Sequence, residues 1–181
     1  PIDRDTFEPA FVVITDFMAK SDFHYFFYFA FWAILQISFI YYALKDKKVL
    51  VIHPFEETII KQYERKDLLY KNEKILPDFE LKTIKAVQTI AGEKSEFKDW
   101  FEALESMKNK MNSTDFDVAI IGCGAYGFPL AAHAKKLGKI GIHLGGVTQL
   151  LFGIKGSRWE NWTHYTELRK NNGENWIFTQ D

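Results

Sequence analysis

Cysteine is nearly absent: Cys123 is the one thiol in 181 residues. One thiol cannot close an intramolecular disulfide, and a cysteine-rich zinc site is excluded. An excess of charge is absent too, with 23 Lys and Arg against 24 Asp and Glu and a net charge of -1. No global basic field therefore argues for nucleic acid as a partner. Internal repeats and low-complexity linkers are missing, and the length suits one domain with an appendage, at roughly 150 residues per domain. Such a chain buries a real core without staples. The apolar stretch is not expected to be a secretory signal peptide, because the residues before it are acidic (Asp3, Asp5, Glu8) and no small-residue cleavage site follows it.

Aromatic side chains are what the sequence has in plenty, 17% of it, with 17 phenylalanines. They concentrate in Phe23 to Leu44, FHYFFYFAFWAILQISFIYYAL, which contains no Asp, Glu, Lys or Arg. As a helix of about 22 residues it would extend ~33 Å, the thickness of a bilayer core. Lys45, Lys47 and Lys48 follow at once, which by the positive-inside rule puts the bulk of the chain in the cytoplasm. Residues 1–44 are thus expected to form an apolar N-terminal helical segment, with membrane contact through 23–44 at the inner face. The tyrosines of the run (Tyr25, Tyr28, Tyr41, Tyr42) suit a buried helix or covered strands equally.

From residue 45 to 181 the pattern alternates between strand and helix. Val49 to Ile52 is a continuous apolar run closed by His53-Pro54, as in a strand buried on both faces. Glu56 to Arg65 reads as a helix with an acidic start and a basic finish. Leu81 to Ile90 reads as a second strand. Phe97, Trp100, Phe101, Leu104, Met107 and Met111 recur at helical spacing. Phe116 to Ile121 is an apolar strand, Phe128 to Leu137 a helix with Pro129 in its first turn, and Ile140 to Leu144 another strand. Strand, helix and strand within about 30 residues make a βαβ unit. The expected fold class is α/β, a Rossmann-like parallel sheet flanked by helices; strand order does not follow from the pattern.

Gly122-Cys123-Gly124-Ala125-Tyr126-Gly127 fits G-x-G-x-x-G and lies where that motif must, after a strand and opening a helix. Gly122 would permit the tight turn, Gly124 the approach of a ligand to the backbone, and Gly127 close packing of helix on strand. The helix start then offers N–H groups and partial positive charge to a phosphate. A tight turn needing glycine for shape alone is the competing account. An NAD site also wants an acid about 20 residues on to hold the ribose. Here His143-Leu144-Gly145-Gly146 stands in that region, so a phosphate-bearing ligand other than NAD is favoured.

Ligands of open parallel sheets sit beyond the carboxyl ends of the strands. Those ends carry His53, the glycine loop, and His143 to Gly146, so His53 and His143 are the acid–base candidates. Thr148 and Gln149 open a short helix at the same rim, and Lys155 and Arg158 are cations able to close on an anion. Cys123 reads as a small filler inside the turn, since no base stands beside it in sequence.

The segments VLVIHPFEETIIKQYE, LPDFELKTIKAVQTIAG, DWFEALESM and FDVAIIGCGAYGFPLAAHAKKLGKIGIHLGGVTQLLFGIKGSRWE resemble a bacterial family found among genes for surface polysaccharide synthesis. The C-terminal half of that family is similar to the GT-D fold glycosyltransferases. The resemblance covers about Ala43 to Trp176 and implies a Rossmann-like core that binds a nucleotide-sugar, a UDP-sugar first, and passes the sugar to a glycan acceptor. GT-D-like proteins carry an acidic stretch such as GDGE, thought to coordinate a metal. This chain has no GDGE; Asp78-Phe79-Glu80 has only the bare spacing. Residues Pro1 to Leu44 do not resemble the family's N-terminal half, so the expectation is a fragment or a divergent form in which a divalent metal would depend on a half supplied from elsewhere. Two other functions compete: a non-catalytic, membrane-tethered partner module of an assembly complex, and a nicotinamide-dependent oxidoreductase domain.

Overall fold

The computed structural model describes residues 42–88, 96–156, 170 and 173–179. Four parallel strands form the main sheet: β1 (Lys48–His53), β2 (Glu80–Lys85), β3 (Val118–Ile121) and β4 (Ile140–His143). Their order across the sheet is β2-β1-β3-β4. Helices α1 (Glu56–Tyr63), α2 (Trp100–Asn112) and α3 (Gly127–Lys136) connect successive strands. A one-turn α4 (Val147–Leu151) leads into β5 (Ile154–Lys155), which pairs in parallel with β6 (Ile177–Phe178). The α/β class with a parallel sheet flanked by helices is therefore as the sequence pattern indicates.

The central strands read as continuous apolar runs because both of their faces are covered. Leu50, Ile52, Ala119 and Ile121 pack under α2 and α3, against Leu104, Met107, Met111, Leu130 and Ala134. Val49, Val51, Val118 and Ile120 face the other way, against Ile59 of α1, Leu69, Phe152 and Trp176. Successive side chains of a strand point to opposite faces, so one apolar run feeds two cores. The register Leu50↔Ala119 and Ile52↔Ile121 keeps like faces together. Leu44, wholly buried, also packs in the second core.

Local chemistry fixes the element ends. Asp99 caps α2, its Oδ1 accepting from the N–H groups of Phe101 (2.9 Å) and Glu102 (3.0 Å). Glu102 reaches back to the N–H of Lys98 at 2.6 Å. The second strand is shorter than the Leu81 to Ile90 run: β2 stops at Lys85, where it has run level with the end of β1 and His53. Ala86 still donates its N–H to the His53 carbonyl at 3.1 Å, but Ala86 to Gln88 are no longer strand, and residues 89–90 lie outside the described residues. Of the apolar run from 23 to 44, only 42–44 are described, as helix; the rest of that expectation lies outside. Among the described residues no helix is long and apolar enough to cross a membrane.

Candidate functional site

Strand order decides where a ligand crevice can be. From β1 the chain leaves through α1 to β2 on one side, and from β3 it leaves through α3 to β4 on the other. The connections diverge between β1 and β3, and at such a switch point the carboxyl ends of the strands open a crevice. His53 ends β1 and Gly122 follows β3, so these two flank it.

The three motif glycines serve three different geometric needs. A Cβ on Gly122 would lie 2.6 Å from His53 Cδ2, 2.6 Å from Thr148 Oγ1 and 2.7 Å from the carbonyl of Gly145. Gly122 is glycine because the β1 end, the turn after β4 and α4 converge on it. Gly124 has φ +57°, the left-handed region, and a Cβ there would meet nothing within 4 Å. A Cβ on Gly127 would fall 2.1 Å from His143 Cε1 and Nδ1, so this glycine makes room for an imidazole.

The bend then runs through a single 3₁₀ turn, Gly124–Tyr126, into α3. The N–H of Tyr126 bonds the Cys123 carbonyl at 3.3 Å, and that of Gly122 bonds Ile52 at 2.9 Å. The N–H groups of Gly124 and Ala125, both exposed, find no acceptor among the described residues. The start of α3 has no side-chain cap and no acid in its first turn. The two longer helices that also begin at this rim differ: α1 opens with Glu56 and Glu57, and α2 is capped by Asp99; the one-turn α4, like α3, opens with neither acid nor side-chain cap. Anionic charge is favoured at a helix start, and α3 is the helix of more than one turn at this rim whose own sequence supplies none.

Both histidines are held by the main chain. The N–H of Phe55 donates to His53 Nδ1 at 3.0 Å, which leaves the ring proton on Nε2. His53 is buried and meets Phe55 edge-on at 4.9 Å. His143 is half-buried; its Nδ1 lies 3.2 Å from the Ile121 carbonyl, which can only accept, so Nδ1 carries the proton. Cys123 is buried, and burial pushes its thiol up to about 12. A thiol so far from ionisation is no nucleophile, in line with a filler role. Tyr126 is buried beside it, and burial raises its phenol as well.

The remaining sequence-derived residues divide. Gly145, with φ +56°, and Gly146 form the turn after β4 at the same rim. Thr148 is wholly buried beneath the bend, its hydroxyl without a hydrogen-bond partner among the described residues. Gln149 is buried too, but its Nε2 donates to the Ile154 carbonyl at 3.3 Å, across the α4–β5 turn. Lys155 Nζ lies 5.8 Å above the ring of Phe178, a cation–π contact within the small sheet. Arg158 lies outside the described residues. What residue-by-residue reading missed is a group of rings beside the bend. Trp100 stacks on Tyr126 at 5.1 Å and 7°, Phe101 meets Trp100 edge-on, and Phe128 leans on His143 at 4.8 Å. Helical spacing assigned Trp100 and Phe101 to a core face, yet Phe101 is 71% exposed. Their place in a first helical turn at the carboxyl rim was the available signal.

With this geometry in view, the comparison with known proteins is direct: the GT-D fold-like domain matches residues 30–151. The chain belongs to this GT-D-like family. No curated protein and no solved structure matches it. The matched stretch takes in β1 to α4 and therefore both sides of the switch point. The metal associated with GT-D enzymes does not fit the acidic pair of this domain. Asp78 pairs with Lys66 at 3.0 Å, and Glu80 with Lys82 at 2.6 Å. Both lie at the amino end of β2, across the sheet from the glycine bend. Among the described residues no three of His, Cys, Asp and Glu are grouped so as to hold a metal ion.

Proposed function

We propose that this GT-D-like domain holds a nucleotide-sugar, with the diphosphate against the bend from Gly122 to Gly127 and the start of α3. One observation carries the reading: at the switch point, the amides of two exposed residues (Gly124, Ala125), without an acceptor among the described residues, lead into a helix start that carries no acid and no cap. Amides fixed in this way need no reorganisation to receive an oxyanion. In the transfer this implies, an acceptor hydroxyl of a glycan forms its bond to the sugar as the bond to the diphosphate breaks. The departing nucleoside diphosphate carries the charge that the amides and the helix start offset. The hydroxyl proton passes to a base: His143, whose Nε2 is left to accept, is the candidate at the rim, while His53, with Nδ1 taken by the Phe55 N–H and the proton on Nε2, is placed to donate. A UDP-sugar is the first donor to try, and surface polysaccharide synthesis at the cytoplasmic face of the membrane, with contact through 23–44, is the setting.

Titration calorimetry of the full chain with UDP, UDP-sugars and NADH tests the proposal. Heat with UDP or a UDP-sugar at micromolar to millimolar ligand is expected, with NADH silent. No heat from any uridine ligand at millimolar concentration refutes it. A second reading has its own support. The ion-paired Asp78 and Glu80 lie away from the bend, which suits a module that binds a nucleotide-sugar or a protein partner without turning a substrate over. Binding of UDP-sugar without sugar transfer or hydrolysis would favour it.

A further inference from the structure

We propose that the exposed ring of Phe128 is the platform on which the base of a nucleoside diphosphate stacks, so that this site prefers nucleoside diphosphates to inorganic pyrophosphate. This rests on the anion-binding reading above and adds what lies beside the diphosphate. Phe128 is the second residue of α3 and 49% exposed. The Cα–Cβ bond in a helix tilts towards the N-terminus, so a first-turn side chain covers the surface beside the helix start. That is where the free amides of Gly124 and Ala125 are. The ring is backed by the imidazole of His143 at 4.8 Å and 57°, and His143 is itself anchored to the Ile121 carbonyl. A ring already propped in place loses little freedom when a second ring stacks on it.

Two further features belong to the same rim. Trp100 and Phe101, in the first turn of α2, place two more partly exposed rings at the rim, with Trp100 stacked on Tyr126. Rings gathered at one rim and partly in water are the kind of exposed apolar patch that marks a binding surface. Independently, the Thr148 hydroxyl, buried and without a partner among the described residues, faces the first residue of the bend, 2.6 Å from where a Gly122 Cβ would sit. An orphaned buried hydroxyl is costly, and it leaves unmet hydrogen-bonding capacity beside Gly122, where the bend begins. A bare pyrophosphate would engage the amides and leave the rings in water. A nucleobase offers a flat π-face to Phe128 as its diphosphate reaches the amides.

The test compares UDP with inorganic pyrophosphate by calorimetry on the full chain, on Phe128→Ala and on Phe128→Trp. The parent chain is expected to bind UDP about tenfold more tightly than pyrophosphate, in the range of base–aromatic stacking. Phe128→Ala should lose most of that margin with pyrophosphate affinity unchanged, and Phe128→Trp should restore it. Equal affinities in the parent chain overturn the stacking platform and leave the anion site standing. A Phe128→Ala chain that loses pyrophosphate and UDP alike also overturns it, since the ring would then be supporting the fold of the bend. If the parent chain binds neither ligand, the nucleotide-sugar reading itself fails. Urea midpoints of the variants separate lost binding from lost folding.

Discussion

Gly127→Ala puts the account of the bend to its hardest test, because the motif is ordinarily read as a ligand device and here one glycine answers to a side chain. An alanine methyl at 127 would lie 2.1 Å from His143 Cε1 and Nδ1 and 2.9 Å from Cγ. No small adjustment relieves a contact that short; the imidazole must swing away. It then gives up its bond to the Ile121 carbonyl, worth about 0.5–1.5 kcal/mol, and its contact with Phe128, worth about 0.5–1.5 kcal/mol. The carbonyl is not orphaned, because the N–H groups of Leu144 (3.0 Å) and Gly145 (3.3 Å) also reach it. Against these losses alanine gains up to about 1 kcal/mol of helix propensity, less in a first turn. The net expectation is a destabilisation of about 1–2 kcal/mol, read from urea midpoints at constant slope. The decisive measurement is a cycle with His143→Ala. Without the ring the methyl meets no obstacle, so Gly127→Ala in the His143→Ala background should be neutral or stabilising. Additive losses in the double variant would refute the argument, as would a Gly127→Ala chain as stable as its parent.

Three more expectations follow from the same bend. Gly124→Ala should cost roughly 1–2 kcal/mol for the left-handed backbone alone, whereas Gly122→Ala should cost more, at or above the ~1–3 kcal/mol of overpacking, because the Gly145 carbonyl cannot move aside as a side chain can; reversing that order in urea melts would contradict the geometry. Cys123 should resist a thiol reagent at pH 8 until denaturant is added, and rapid labelling of the native chain would show the thiol is not buried. Folding holds the Cys123 proton more tightly than the unfolded chain does, so this contribution to stability is full below the ordinary thiol value of 9.0 and is lost as pH rises from there towards about 12.

How far these features could be read in advance depends on what kind of information each needs. The apolar runs at Val49 to Ile52 and Phe116 to Ile121 announce strands covered on both faces, since burial on two sides erases alternation. The bend was legible because glycine spacing and context coincide. The ends of the strands were less so: β2 stops at Lys85 because its neighbour β1 ends level with it, a fact of pairing that no local pattern encodes. Strand order is non-local in the same way, and it carries the most consequence. Placing β3 beside β1, with β2 beyond, brings His53, Gly122 and Thr148 into contact across a long stretch of chain. It also explains why glycine at 122 could be assigned to a turn from sequence and yet answers to its neighbours. A G-x-G-x-x-G pattern records three places where a Cβ is unwelcome, and the reason differs at each. In this chain the free approach to the backbone is at Gly124, while the outer two glycines are occupied by His53, Thr148 and His143. The part of the motif available to a ligand is therefore the pair of amides at its centre, and any account of binding here has to begin from those two groups rather than from the motif as a whole.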